Sequence, residues 1–169
     1  THQREVERAA AVGAELYVVH PDTGTERGNG WSRSAARAAL ARSFADLLEI
    51  QESHGVPVAV ENLPDPRTSL FTAPGLDLGG LGFTLDAGHA ALAGSLDEFL
   101  GAVDGLCHMH LHDNLGPQDF VDRHLALGEG VVDVVAALRV ADATGVSVVL
   151  EVVDEEAVVR SLAQIATFV

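Results

Sequence analysis

Residues 106–114 read Leu-Cys-His-Met-His-Leu-His-Asp-Asn, a largely apolar run that turns polar at its end. A short apolar run bounded by loop residues is typical of a strand buried in a parallel sheet. Four further segments of the chain have the same form, since each is mostly apolar and each ends at a carboxylate or an imidazole. They are residues 15–19 before His20, 57–60 before Glu61, 82–85 before Asp86 and 147–150 before Glu151.

Helical patterns separate these apolar runs. Leu40, Phe44 and Leu47 recur at helical spacing, and Gly55 with Pro57 ends that helix. Strands that alternate with helices predict an α/β fold, either an open doubly wound sheet or part of a (β/α)8 barrel. No GxGxxG or Walker-type glycine loop follows any strand, which disfavours nucleotide binding. The predicted helices cover residues 2–11, 32–53, 95–103 and 131–144, and a last one begins at an Asp154 cap.

The composition excludes several classes of protein. The chain has 169 residues, of which 47% are hydrophobic, a balance typical of one globular domain rather than a disordered chain. No apolar run reaches the roughly 18 residues that a membrane-spanning helix needs. The single cysteine, Cys107, excludes an internal disulfide, and no secretion signal is recognisable, so we expect a cytoplasmic location. The sequence begins at Thr1 inside a helical pattern, so we expect upstream residues to be missing.

The charge balance bears on the choice of partner. The formal net charge is −15, from 25 acidic residues against 10 basic ones, all of them arginines. Such a surface repels phosphate backbones unless a local basic groove or a bound metal overrides it. Nucleic acid is therefore an unlikely partner.

The strand ends predict a divalent-metal site. In a parallel sheet the carboxyl ends of the strands lie at one edge, so Glu61, Asp86, His110 and Glu151 are expected to converge. Carboxylate oxygens and an imidazole nitrogen together are compatible with Mn, Mg, Co or Zn. Asp86 alone could equally be the N-cap of a following helix, whereas Glu61 and Glu151 are poorer caps and would be costly to bury unpaired.

The predicted fourth strand carries three histidines, one of which belongs to this set. His108, His110 and His112 alternate, so all three share one face if the strand is regular. We expect His110 to be the ligand, His108 to lie lower in the core with a hydrogen bond, and His112 to support a ligand or to face the substrate. Asp113 is expected to orient a ligand histidine.

Further candidates lie outside the strands. His20 follows the first strand, although a histidine before a proline is more often a loop residue. His89, three residues after Asp86, either enters the same pocket or begins a helix. Asp122 and His124 flank Arg123 on a loop, which is either a ligand cluster or a solvated charged turn.

Six motifs follow one another along the chain: Glu61-Asn62, Leu-Asp-Ala-Gly-His at 85–89, His-Leu-His-Asp-Asn at 110–114, Asp-Arg-His at 122–124, Gly-Glu-Gly at 128–130 and Leu150-Glu151. Their order resembles the xylose-isomerase-like TIM-barrel superfamily, which includes sugar-phosphate isomerases and epimerases and endonuclease IV. The resemblance implies a (β/α)8 TIM barrel that lacks its first two βα units in this chain. It implies one domain over residues 1–169, incomplete at its N-terminus. The residue pattern by itself allows a short extra strand at 123–127.

The resemblance also implies roles for the candidate residues. In epimerases of this superfamily, the residues matching Glu61, Asp86, His110 and Glu151 bind one divalent metal, and the two glutamates form an acid/base pair. In relatives of endonuclease IV, further metal ions are held by residues that match four other positions. These are His20, His89, Asp122 and His124.

Three functions remain open on the sequence. The first is a metal-dependent isomerase or epimerase that moves a proton between two glutamates of the site, with a small sugar-like substrate, no membrane partner and possible homo-oligomers. The second is a zinc-dependent phosphodiesterase acting on abasic DNA, which the Asp-Arg-His motif favours and the negative charge disfavours. The third is an inactive, truncated barrel.

Overall fold

A computed structural model describes residues 2–21, 32–119 and 121–168. Within them five parallel strands form one sheet in the order β1-β2-β3-β4-β5, curled as part of a barrel, which confirms the predicted class of fold. The strands are β1 (Tyr17–Val19), β2 (Val58–Glu61), β3 (Gly82–Asp86), β4 (Leu106–Leu111) and β5 (Ser147–Leu150). The helices are α1 (His2–Ala11), α2 (Arg33–His54), α3 (Ala87–Ala93), α4 (Leu96–Leu100), α5 (Val134–Thr144) and α6 (Glu155–Ile165).

The predicted strands and helices are all present, with ends displaced by a few residues. One helix is not predicted by the apolar pattern, because α3 follows β3 directly where the sequence leaves His89 undecided. Five of its seven residues are alanine or glycine and nearly all of the seven are buried, so they form no apolar stripe against a polar face. The possible strand at residues 123–127 is instead a single antiparallel bridge between Leu125 and Asp113.

Capping side chains and glycines fix the ends of the helices. Ser32 caps α2 by accepting the Ala35 N–H at 3.2 Å, and Gly55 ends it in the left-handed conformation, at φ 69°. Asp154 caps α6 as predicted, accepting the Ala157 N–H at 2.7 Å. No helix among the described residues combines the length and the apolar character needed to cross a membrane.

The register of the sheet separates an apolar face from a polar one. Asp86 pairs with His110 across β3 and β4, and Glu61 pairs with Thr84 across β2 and β3. These polar residues therefore lie on the face that turns toward the inside of the barrel, at the carboxyl edge of the sheet. The opposite face packs against the helices through fully buried side chains. Among them are Val58, Val60, Leu85, Met109 and Leu111.

Candidate metal centre

Four side chains at the carboxyl edge converge as the sequence predicts. We call Glu61, Asp86, His110 and Glu151 the strand-end group; one donor atom from each lies within 4.8 Å of the others. His110 Nδ1 is 3.2 Å from Glu61 Oε2, 3.3 Å from Glu151 Oε1 and 4.0 Å from Asp86 Oδ2. Glu151 follows β5 directly, and its N–H donates to the Leu111 carbonyl at 3.2 Å, which brings it beside β4.

The donor atoms of this group fit a divalent cation. Three buried side-chain atoms among the described residues have no hydrogen-bond partner, and two of them, Glu61 Oε1 and His110 Nδ1, belong to this group; the third is Thr84 Oγ1. A buried polar atom left without a partner costs free energy comparable to a lost hydrogen bond, so such atoms generally have a partner. A cation bound between three carboxylates and one imidazole would satisfy both atoms and would offset the charge of the carboxylates.

Histidines already neutralise part of this charge. Burial alone would raise the pKa of Glu61, but His110, His20 and His89 around it hold the pKa well below its usual range. His20 Nε2 lies 3.2 Å from Glu61 Oε2, and His89 Nδ1 lies 3.3 Å from Glu61 Oε1. Glu61 is therefore a carboxylate at neutral pH, the form in which it can bind a cation or accept a proton.

Asp86 serves two structural purposes at once. Its Oδ1 accepts the N–H of His89 at 2.7 Å, which makes it the N-cap of α3. The same carboxylate belongs to the strand-end group, so the two alternatives weighed for Asp86 are compatible. The cap begins α3 at the edge of the sheet and places His89 beside Glu61 and Asp122.

A second cluster lies next to the first. We call His89, His112, Asp122 and His124 the loop group; their donor atoms also lie within 4.8 Å of one another. Asp122 Oδ2 is 2.9 Å from His89 Nε2 and 3.0 Å from His124 Nε2. The loop segment thus brings Asp122 and His124 together with two buried histidines, in an arrangement that could hold a metal ion.

Backbone carbonyls fix the two histidines that contact Asp122. His89 Nδ1 donates to the Asn62 carbonyl at 2.9 Å, and His124 Nδ1 donates to the Glu151 carbonyl at 2.6 Å. In a neutral imidazole this leaves each Nε2 with its lone pair directed toward Asp122, the usual arrangement of a histidine that binds a metal. His124 holds this position at φ 48°, a conformation uncommon for residues other than glycine.

The imidazole of His89 and the carboxylate of Asp122 shift each other's pKa. Burial alone would lower the pKa of His89, but the carboxylates of Asp122 and Glu61 raise it to about 11. Burial would raise the pKa of Asp122, but His89 and Asn114 lower it. Without a bound cation, the proton on His89 supplies positive charge between the two groups.

Three other histidines of the prediction, His20, His112 and His108, lie outside the strand-end group. His20 contacts Glu61 but lies outside both groups, and its side chain is 61% exposed. His112 is fully buried and belongs to the loop group, one residue beyond the end of β4. His108 lies lower on β4, as predicted, with its Nδ1 2.7 Å from Ser147 Oγ.

The prediction for Asp113 is wrong. Its carboxylate orients no histidine, because it accepts the backbone N–H groups of four residues. These are Asn114, Gly128, Gly130 and Val132, at 2.9–3.0 Å.

Two buried asparagines were not predicted to support the site. Asn62 clamps the backbone of Asp86, donating to its carbonyl at 2.9 Å and accepting its N–H at 2.7 Å. Asn114 donates to Asp122 Oδ1 at 3.0 Å and accepts the Arg123 N–H at 2.7 Å. Their place next to the polar strand ends is the signal in the sequence that could have identified them.

Comparison with known sequences places these features in a family. The sequence profile of the family described as xylose isomerase-like TIM barrel matches residues 2–167. The uncharacterized protein MJ1614 of Methanocaldococcus jannaschii is 35% identical over 132 residues, which cover 76% of this chain and 50% of that protein. The chain spans about half the length of the curated relatives it matches.

Three solved structures of similar fold each match 98% of this chain. A D-tagatose 3-epimerase-like protein is 27% identical with a TM-score of 0.82, and this chain covers 66% of it. The protein TTHB071 of Thermus thermophilus, soaked with ZnCl2, is 29% identical with a TM-score of 0.69 and 66% of its length covered. Endonuclease IV of Thermus thermophilus, at 21% identity, a TM-score of 0.66 and 64% coverage, shares the fold.

Proposed function

The chain belongs to the xylose isomerase-like TIM-barrel family, and on that premise we propose that it carries the centre of a divalent-metal-dependent isomerase or epimerase. The substrate class is a small sugar or sugar phosphate. The proposal rests on one observation: Glu61 and Glu151 approach the same unpartnered His110 Nδ1, at 3.2 and 3.3 Å. Two carboxylates beside one cation site are the groups that a reversible proton transfer at carbon needs.

In this proposal the residues of the strand-end group have two roles, holding a cation and transferring a proton. A cation bound there would polarise the carbonyl and hydroxyl oxygens of a sugar, which makes the neighbouring carbon-bound proton more acidic. Asp86 and His110 would serve only to hold the cation, whereas Glu61 and Glu151 would contact it and would also exchange the proton with substrate carbon. Glu61 is buried, whereas the Glu151 side chain is 34% exposed and can exchange its proton with solvent. The donor set suits Mn, Mg, Co and Zn alike.

The charges near the site support a small-molecule substrate. Arg67, on the loop after β2, forms an ion pair with Asp65 at 2.8 Å. Arg123, between the two ligands of the loop group, is paired with Asp119. Both arginines are therefore engaged with carboxylates of the chain, and the net charge of −15 repels a nucleic-acid backbone.

A second candidate function is hydrolysis of a phosphodiester in abasic DNA. The loop group favours it, because a second cation next to the first could stabilise the attacking and leaving oxygens of such a reaction. TTHB071, at 29% identity, was studied with zinc, which is the metal this chemistry commonly uses.

The test for the isomerase is exchange of carbon-bound protons in deuterated water, followed by NMR over a panel of ketoses and aldoses with Mn, Mg, Co or Zn added. The intact protein is expected to exchange a proton in at least one sugar. Glu151→Gln is expected to lower the rate by about 100-fold or more. Glu98→Gln, at an exposed position on α4, is the control and should retain the rate. Unchanged exchange in Glu151→Gln would overturn the proposed role.

The phosphodiesterase has a separate test. The intact protein with zinc is incubated with abasic duplex DNA over a range of salt concentrations, since phosphate contacts weaken steeply with salt. Nicking that Asp122→Asn abolishes, without exchange in any sugar, would favour the second candidate over the first.

A further inference from the structure

We propose that His112 is a positioning residue that couples the strand-end group to the loop group and binds no cation itself. Its imidazole holds the Asp86 carboxylate for the first group and supports the His124 ring for the second. For the strand-end group the inference rests on the proposed function, and for the loop group it takes up the second cation considered for the phosphodiesterase. It gives His112 a different role from the three other members of the loop group, although its donor atoms lie close to theirs.

Both ring nitrogens of His112 are engaged by the protein. Nε2 donates to Asp86 Oδ2 at 3.1 Å and lies 3.0 Å from Oδ1 of the same carboxylate. Nδ1 accepts from Asn114 Nδ2 at 3.4 Å, and the same amide donates to Asp122 Oδ1 at 3.0 Å. His89 and His124 differ, because their Nδ1 atoms donate to backbone carbonyls and their Nε2 atoms meet at Asp122. His112 therefore has the contacts of a residue that orients ligands.

The ring of His112 is also fixed by packing. It stacks on His124 with ring centroids 4.0 Å apart and an interplanar angle of 12°, and it meets His89 edge-on at 5.6 Å. On its other side lies Gly88, where a Cβ atom would stand 2.2 Å from the His112 Cε1 atom. Only a glycine allows the ring to lie this close to the first turn of α3. The imidazole is wholly buried and has no room to turn toward another partner.

These contacts link the two groups through the fixed imidazole ring of His112. The Asp86 carboxylate is oriented by His112 and by the His89 N–H at 2.7 Å, which leaves its position toward His110 defined. The His124 imidazole is fixed by the Glu151 carbonyl at its Nδ1 and by the His112 ring on its face. A change at His112 must therefore affect both groups, through a hydrogen bond in one and a stacked ring in the other.

The two contributions can be separated by substitution. His112→Phe keeps a flat ring against His124 but removes the donor to Asp86. His112→Gln keeps an N–H that can reach Asp86 but removes the ring. We expect His112→Phe to weaken the strand-end site and His112→Gln to weaken the loop site, each by about 10- to 100-fold in affinity, the usual effect of losing a residue that orients a metal ligand.

The experiment is a stepwise Co²⁺ titration of the intact protein, followed by calorimetry and by visible absorption, which reports the ligands around cobalt. Glu151→Gln and Asp122→Asn each remove one donor and identify which binding event belongs to which group. Gly88→Ala, which pushes on the ring from α3, should weaken both events. His54→Phe and His54→Gln make the same replacements at the end of α2, outside both groups, and should change neither event.

Each outcome decides the question. The crossed pattern, with one site weakened in each variant and two ions still bound, supports a positioning role. Loss of the loop-site ion in both His112 variants, as in Asp122→Asn, would make His112 a ligand and overturn the inference. Unchanged affinities would overturn it as well, and Gly88→Ala decides the matter if one His112 variant fails to fold in EDTA. A wild-type protein that binds a single Co²⁺ ion would overturn the inference and leave the proposed function standing, whereas one that binds no Co²⁺ would overturn the proposed function itself.

Discussion

Asp113 is a buried residue whose carboxylate holds the loop beside the candidate site in place through hydrogen bonds. It comes immediately after His112, and its side chain is wholly buried. Its two carboxylate oxygens together accept four backbone N–H groups, one from its neighbour and three from the segment at 128–132. An aspartate beside a histidine resembles an imidazole-orienting pair in the sequence, but these donors are invisible there because they are main-chain groups far along the chain.

The first prediction concerns this carboxylate. Asp113→Asn replaces one acceptor oxygen by an NH₂ group, so about two of the backbone donors lose their partner inside the protein. We expect the free energy of unfolding to fall by about 2–4 kcal/mol, because buried donors without partners are costly. Urea denaturation in EDTA measures this without interference from metal binding. Asp142→Asn, exposed on α5, is the control, and equal stability of the two variants would contradict the prediction.

At the scale of elements, α3 links the sheet to both groups. It has only seven residues, between the Asp86 cap and Gly94, which ends it in the left-handed conformation at φ 74°. Such a short helix is unstable alone, so its caps and its burial hold it in place. Because His89 lies in its first turn, the same cap that begins α3 also places a donor of the loop group.

The second prediction separates the two roles of Asp86. Asparagine is as good an N-cap as aspartate, so Asp86→Asn should keep α3 while weakening cation binding at the strand-end group. Asp86→Ala loses the cap as well and should be less stable than Asp86→Asn by about 1 kcal/mol. Thermal denaturation in EDTA measures the first effect and Co²⁺ titration the second. If the two variants had equal stability without metal, the cap would contribute nothing.

The elements differ in how far the sequence determines them. Strands β2 to β5 are predictable because each is an apolar run ending in a polar residue, and the parallel arrangement then brings Glu61, Asp86, His110 and Glu151 together. The place of His112 is not predictable from alternation, which holds only within a strand. Since β4 ends at Leu111, His112 leaves the regular strand and joins the loop group. The position of Asn62 beside a strand end can be read from the sequence, but its hydrogen bonds to the backbone of Asp86 on another strand cannot.

At the scale of the whole molecule, an acidic chain places several of its carboxylates together at the carboxyl edge of the sheet. The chain carries a net charge of −15, and three buried or half-buried carboxylates meet in the strand-end group alone. Without a cation, protonated histidines are the available counter-charge among the described side chains of the two groups. On the proposed function, protons and cations would compete for the same positions, which would couple folding, pH and metal binding.

The third prediction follows for the metal-free protein. The pKa of His89 rises from 6.5 to about 11 on folding because Asp122 and Glu61 outweigh its burial, so its contribution is complete below pH 6.5 and is lost as the pH rises toward 11. The pKa of Glu61 is lowered from 4.5, since its histidine neighbours outweigh its burial, and that contribution is lost as the pH falls below 4.5. The stability in EDTA should therefore be greatest between pH 4.5 and 6.5.

Urea denaturation from pH 4 to pH 10 measures this profile. On the alkaline side each released proton corresponds to a slope of about 1.4 kcal/mol per pH unit, and His89→Asn should reduce that slope. His54→Asn, at the end of α2, is the control. A wild-type profile that keeps rising above pH 7 in EDTA would contradict the prediction.

The fourth prediction concerns the exchange of protons for a cation. A cation at the loop group needs the lone pair of His89 Nε2, whereas the pKa of about 11, set by Asp122 and Glu61 against burial, keeps that nitrogen protonated at pH 8. Binding at pH 8 should therefore release about one proton from His89. Calorimetry in two buffers of different ionisation enthalpy gives the number released, and His89→Asn should release fewer. An observed enthalpy that is the same in both buffers would mean that no proton is exchanged, and the loop group would then not bind its cation through His89.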